Sequence, residues 1–215
     1  MVTTVANGID MPLFSHLIKT HVDFAKINKP LKIFDIGSRD GNDARYLAHN
    51  FPNAETFAFE AHPEEHRIHA HENRNINWIN SAVYKHDGFV TFYPKAINSG
   101  IHSIRDRGAE FGIGEIQVPC VKMSTFLRNH NIDGCFIVKV DVEGCSLEVL
   151  QSFEEYIANV VCFHMESEEQ QYFKDQHLQS EVFNFLTANN FEMCTYSITN
   201  GSDQHDSVWI NKSFV

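Results

Sequence analysis

Three short β-rich runs, residues 31–36, 56–60 and 75–83, alternate with two segments of helical periodicity, residues 43–50 and 64–71. That alternation leaves few folds open. Parallel neighbours need a long crossover, and a helix is the usual one, so the segment predicts a parallel sheet with helices packed on its faces. A chain of 215 residues is long enough for one domain with a sizeable core. With 43% hydrophobic and 21% charged residues it has the profile of a globular protein, not of a disordered one.

Before this unit, residues 10–27 read as a helix, with Asp10 as cap and Pro12 in the first turn. Residues 1–30 are therefore expected to be a helical segment packed on a domain spanning 31–215. Further on, Asp87-Gly88 between residues 82–84 and 89–93 predicts a hairpin. Residues 97–114 read as a polar loop. Strands are expected at 116–121, 135–141 and 160–166, and helices at 124–130, 146–153 and 176–189. Residues 191–198 and 206–210 read as a terminal antiparallel pair.

Charge narrows the partners. Twenty-eight acidic against 17 basic residues give a formal net charge of −11, which argues against a broad nucleic-acid surface, since phosphates are neutralised by clustered Lys and Arg. No apolar run approaches the ~20 residues of a membrane span, and residues 1–11 lack a basic stretch followed by an apolar one. The five cysteines are odd in number and form no C-x-x-C. Reduced, mostly buried thiols in a cytoplasmic protein are the expectation.

Chemistry gathers at strand ends. Asp35-Ile36-Gly37-Ser38-Arg39-Asp40-Gly41 follows the first strand and opens a helix. Gly37 permits a tight turn, Gly41 a close backbone approach, and the helix start offers unpaired N–H groups. Glu60 ends the next strand, where ligands of open α/β sheets lie, and its carboxylate can accept both hydroxyls of a ribose. The dinucleotide pattern G-x-G-x-x-G is absent: Arg39 stands where its second glycine belongs. With Asp35 leading the turn, a ribose-bearing ligand with a cationic amino-acid end, such as S-adenosylmethionine, fits better than a diphosphate. Asn80-Ser81-Ala82-Val83 lies where adenine would rest, with Ser81 or a backbone group on the base edge.

A second cluster forms at Lys139-Val140-Asp141-Val142-Glu143-Gly144, with His164 and Glu166 at the end of the following strand. Unpaired charge at the ends of buried strands needs a partner or a purpose. Three readings stay open: Asp141, His164 and Glu166 hold a divalent cation such as Mg²⁺ or Mn²⁺; Lys139 or a carboxylate acts as base; or the group is a structural ion network. Of the 13 histidines, His62, His66, His69 and His71 cluster on or before one helix, read as a solvated face. Arg105 and Arg107 read either as solvated loop charges or as partners of an anionic substrate.

Together these motifs resemble the FkbM-type family of S-adenosylmethionine-dependent O-methyltransferases. The carrying residues are Asp35–Asn42, Glu60, Asn80-Ser81-Ala82-Val83, His102-Ser103-Ile104 and, most specifically, Lys139-Val140-Asp141-Val142-Glu143-Gly144. The resemblance implies a class I methyltransferase fold, a seven-stranded, mostly parallel sheet with an antiparallel last strand and helices on both faces. It implies methyl transfer to a hydroxyl of a small molecule or glycan, often a sugar. The cofactor site would comprise Asp35, Gly37, Ser38, Gly41, Glu60, Ala82 and Ser103, and the catalytic rim Lys139, Asp141, Glu143 and Glu166, with His164. An RNA ribose methyltransferase and a non-catalytic S-adenosylmethionine- or sugar-binding module are the alternatives.

Overall fold

The computed structural model describes residues 2–6, 8–71, 75–97, 99–108, 114–197 and 202–215. Ile198, the expected end of a strand, and residues 98 and 109–113 of the expected loop lie outside them. The strands are β1 Thr3–Val5, β2 Leu31–Ile36, β3 Glu55–Phe59, β4 Ile76–Ile79, β5 Ala82–Val83, β6 Gly88–Phe92, β7 Ile116–Val121, β8 Cys135–Val140, β9 Val160–Glu168, β10 Phe191–Ser197 and β11 Gln204–Asn211. The helices are α1 Met11–His21, α2 Asn42–Asn50, α3 Pro63–His69, α4 Met123–Asn129, α5 Ser146–Gln151 and α6 Gln179–Ala188.

Eight strands form the main sheet in the order β1-β10-β11-β9-β8-β2-β3-β4. All neighbours run parallel except β11, which is antiparallel to both β9 and β10. This is the class I arrangement expected, with one strand more: β1 adds in parallel to the edge of β10. The N-terminal segment thus supplies a strand as well as a helix. That helix is shorter than expected. α1 stops at His21, and a separate single turn, Phe24–Lys26, follows. Asp10 does cap α1, accepting from the Leu13 N–H at 2.9 Å.

β8 is buried at all six positions, as a strand covered by helices on both faces must be. Its alternating side chains feed two cores. Phe136, Val138 and Val140 join Phe34, Phe59, Phe126 and Phe163 on one face. Cys135 and Ile137 meet Ile33 of β2, Phe14 and Ile18 of α1 and Leu47 of α2 on the other. Each fully buried side chain of this size contributes about 1.5–3 kcal/mol.

The expected 87–88 hairpin does not form. β5 and β6 belong to a second, three-stranded sheet, but β7 lies between them, parallel to β5 and antiparallel to β6. The reason is visible at Asp87, whose carboxylate is engaged elsewhere. It accepts from the Lys122 N–H at 2.8 Å and the Thr125 hydroxyl at 2.9 Å, anchoring the start of α4. Likewise the expected 75–83 strand divides at Asn80 and Ser81, its second half crossing into the small sheet.

Candidate active site at the carboxyl ends of the strands

The turn after β2 is set by close contacts. Gly37 has φ +83°, and a Cβ there would lie 1.9 Å from the Asp141 carbonyl oxygen. That approach lets the segment after β8 pass directly over the turn, with the Asp141 N–H donating to the Ile36 carbonyl at 3.0 Å. Gly41 has φ +71°, and its Cβ would lie 2.4 Å from the Trp78 ring. Gly37→Ala should therefore cost more than the ~1–2 kcal/mol of a left-handed alanine, because the obstructing atom is backbone. A urea melt of the variant checks this, and an unchanged midpoint would refute it.

Asp35 is completely buried beneath the turn. One oxygen accepts from the Ser38 hydroxyl at 2.7 Å and from the Ala44 N–H at 3.1 Å. It thus caps α2 from the preceding strand, since Ala44 carries one of the unpaired N–H groups of the first helical turn. Its other oxygen lies 3.7 Å from Lys139 Nζ. Lys139 also meets Asp43 at 3.0 Å and Asp141 at 2.9 Å. Burial alone would lower the lysine pKa, but Asp141, Asp35 and Asp43 together push it well above its ordinary value. An ammonium held so far above its ordinary value gives up its proton reluctantly, which favours an ion-pairing role for Lys139 over that of a base. Asp43 was not singled out from the sequence, although an acid in the first turn of a helix facing a lysine-ended strand is a readable signal.

Above this network opens a cleft of about 620 Å³, its mouth included. Gly37, Glu60, Ala82, Ser103, Asp141 and Glu143 line it, together with Arg39 and His102. Asp35, Ser38, Gly41, Lys139, His164 and Glu166 are not among its lining residues. Glu60 is buried, and each of its oxygens accepts one backbone N–H at 2.7 Å, from Arg39 and from His62. Burial pushes its carboxyl up to about 7 despite those two bonds. A carboxylate has about four lone-pair sites, so one on each oxygen remains for a ligand. Ser81 also lines the cleft, but its hydroxyl is directed at the carbonyls of Ala82 and Pro119, at 3.1 and 3.2 Å.

At the opposite end, burial pushes Glu143 up to about 8, with Asp141 adding to the effect. Burial also raises Glu166 well above the ordinary range, whereas Lys139 holds Asp141 below it despite burial. Glu166 and Asp141 are hydrogen-bonded to each other. Glu166 Oε1 accepts from the Gln204 side chain at 2.7 Å.

The expected cation set does not come together. Among the described residues no three His, Cys, Asp or Glu side chains converge as a metal site. Each of the three side chains has a protein partner, although His164 Nδ1 is buried without one. His164 Nε2 lies 2.9 Å from the Ile9 carbonyl, which can only accept; Glu166 is bound to Gln204, and Asp141 to Lys139. Among the described residues Asp141, His164 and Glu166 are thus not assembled as a divalent-ion site, and no step is routed through one.

The comparisons with known proteins agree with this geometry. Residues 35–193 match the model of the methyltransferase FkbM domain. The chain belongs to the FkbM methyltransferase family.

As a family member it is an S-adenosylmethionine-dependent methyltransferase. Among solved structures, M. capricolum TrmK in complex with S-adenosyl-homocysteine is similar at 10% identity. The likeness covers 94% of this chain and 69% of that one, with a TM-score of 0.51, and shows the shared fold. A precorrin-6y C5,15-methyltransferase from Geobacter metallireducens GS-15 aligns at 10% identity over 87% and 84% of the two chains, with a TM-score of 0.46. No curated protein matches the chain.

This FkbM methyltransferase also corrects two surface readings. The helix α3 histidines do not form a solvated face. His69 Nε2 lies 3.4 Å from one oxygen of Glu65, which is fully buried, and His102 Nε2 3.6 Å from the other, while His66 packs against Trp78 and His71 is exposed. His62 is itself buried and caps α3 through Nδ1. Arg105 is neither a solvated charge nor a ligand for substrate, because it is ion-paired to Glu148, whose side chain is 1% exposed. Nothing in the residues 97–114 read as loop signalled that pairing, since the partner lies 43 positions away.

Proposed function

We propose that the enzyme transfers the methyl group of S-adenosylmethionine to a hydroxyl of a small molecule or glycan, a sugar being the preferred acceptor, with Glu143 as general base. The observation that carries this reading is that Glu143 is among the residues lining the cleft, with burial pushing its carboxyl up to about 8. A hydroxyl is a poor nucleophile at neutral pH, and a base is most effective when its pKa lies near the working pH.

In this reading Glu60 accepts the ribose hydroxyls, and Gly37, Ala82 and Ser103 shape the wall around the nucleoside. Asp35, Ser38 and Gly41 act one layer below, fixing the turn. The acceptor oxygen attacks the methyl carbon in line. The carbon–sulfur bond breaks with its electron pair going to sulfur, which becomes a neutral thioether, and the hydroxyl proton passes to Glu143. The sulfonium charge favours the ionised form of Glu143 before transfer. Asp141, which lines the cleft and is held below the ordinary carboxyl range by Lys139, offers an acceptor for a further hydroxyl of the substrate. The net charge of −11 disfavours an RNA acceptor. All five cysteines are unpaired, which supports the expected cytoplasmic setting, and among the described residues no helix is long and apolar enough to cross a membrane.

Incubation with isotope-labelled S-adenosylmethionine and a panel of hydroxyl-bearing glycans tests the acceptor class. Label in an ether-linked methyl group is expected, and label confined to amine-bearing acceptors would overturn the reading. Glu143→Gln should lower turnover on an identified acceptor by roughly 10²–10⁴-fold, with donor binding retained. Full turnover in that variant would remove Glu143 from the mechanism.

A further inference from the structure

Three of the cleft-lining residues, His102, Ser103 and Ile104, come from a segment with almost no regular structure. One edge of it hangs on β6 and its extension: the Tyr93 N–H donates to the Ser103 carbonyl at 2.7 Å, and the Lys95 N–H to His102 Nδ1 at 2.9 Å. On the other edge one side chain makes three of the ties. Arg105 Nε donates to Cys145 Sγ at 3.2 Å, Nη1 to the Lys174 carbonyl at 3.0 Å, and Nη2 to Glu148 Oε1. Its side chain is only 10% exposed. Three acceptors on two other segments are thus met by three separate nitrogens of one planar group, a spread of donors that an ammonium's single nitrogen does not offer.

The backbone continues the tie. The Arg105 N–H donates to Ser103 Oγ at 2.9 Å, and that hydroxyl donates to the Glu143 carbonyl at 2.7 Å. On the far side the Lys174 N–H returns a bond to the Asp106 carbonyl at 3.0 Å. The segment after β5 and β6, the turn after β8 and the segment before α6 therefore meet at one arginine.

Resting on the donor-site reading above, we propose that Arg105 is a positioning residue: it keeps residues 102–104 as a fixed wall of the donor cleft and, through Ser103, sets the backbone of Glu143 at the transfer end. The guanidinium touches neither donor nor acceptor. It acts by removing the freedom of the wall, so its loss is felt chiefly as faster release of a bound nucleoside, since interface changes act mostly on dissociation.

The test uses S-adenosylhomocysteine and the full chain. Arg105→Lys keeps the charge opposite Glu148 and gives up the bonds to Cys145 and Lys174. Its dissociation of S-adenosylhomocysteine, followed by stopped-flow displacement, should quicken roughly tenfold or more, with association changed by less than about threefold. Unchanged dissociation, even with a lower melting temperature of the unliganded variant, would show a merely structural arginine and overturn the proposal. Amide hydrogen exchange of the unmodified protein decides independently of any variant. On adding S-adenosylhomocysteine, exchange in residues 102–106 and 173–176 should slow together. Slowing in the first segment alone would overturn the proposal. Failure of the unmodified chain to bind S-adenosylhomocysteine at all is a different result: it sinks the donor-site reading, and this inference with it.

Discussion

Lys139→Met should destabilise the protein by about 3–5 kcal/mol, the cost of leaving a buried charge without its partner. That is a large share of the ~5–15 kcal/mol by which domains are stable. The lysine lies among Asp35, Asp43 and Asp141, and Asp35 has no exposure to water through which to recover its hydration. Methionine fills a similar volume, so the loss reports charge more than packing. Burial already pushes the Asp35 carboxyl up against the pull of Lys139. Without the lysine that carboxyl takes up a proton more readily in the folded than in the unfolded chain. The deficit should consequently shrink as the pH falls. Urea denaturation of the variant at several pH values measures both effects, and the added change Asp35→Asn should recover part of the loss, because the two residues share one network. A loss below about 1 kcal/mol, independent of pH, would mean that the ion cluster contributes nothing to the fold.

Glu60→Ala should weaken binding of S-adenosylhomocysteine by roughly 10²–10⁴-fold, two charge-assisted hydrogen bonds at about 1.5–3 kcal/mol each. The pH dependence is the sharper test. In the free protein burial pushes the Glu60 carboxyl up to about 7, and ribose hydroxyls donate more strongly to its ionised form. Binding therefore lowers the pKa and releases a proton whenever the pH is below 7. Affinity should rise with pH up to about 7 and level off above it, by at most tenfold per unit. S-adenosylhomocysteine lacks the sulfonium charge, which keeps the titration of Glu143 from dominating the profile. Glu60→Gln should flatten the curve. Calorimetry across this range settles it, and a flat profile for the unmodified protein would remove the carboxylate from ribose recognition.

Particular elements show how far the linear pattern reaches. β2, β7 and β8 begin and end within a residue of where apolar, β-branched runs place them, because each is bounded by glycine, proline or charge within one or two residues. The hairpin at Asp87-Gly88 failed for the opposite reason. The dipeptide suits a tight turn, but long-range bonds from Asp87 to Lys122 and Thr125 were available, and β7 offered the intervening partner. Ser103 was placed at the donor site and does line the cleft, yet its hydroxyl is bound to Glu143 and Arg105. β9 runs on to Glu168, so His164 sits at its middle rather than at its end, and neither His164 nor Glu166 is among the residues lining the cleft.

The order of strands and helices, the glycine turn and the acids at the ends of β3 and β8 follow from local chemistry: hydrophobic period, residues tolerating positive φ, and polar groups at the limits of buried runs. These are short-range properties, written within a few positions of one another. The protonation of each carboxyl, the capture of Lys139 by Asp43 as well as Asp35 and Asp141, and the clamp of Arg105 on Glu148 depend on distances between groups far apart in the chain. Burial and a neighbour's charge a few ångströms away set those properties, and neither exists until the chain has folded.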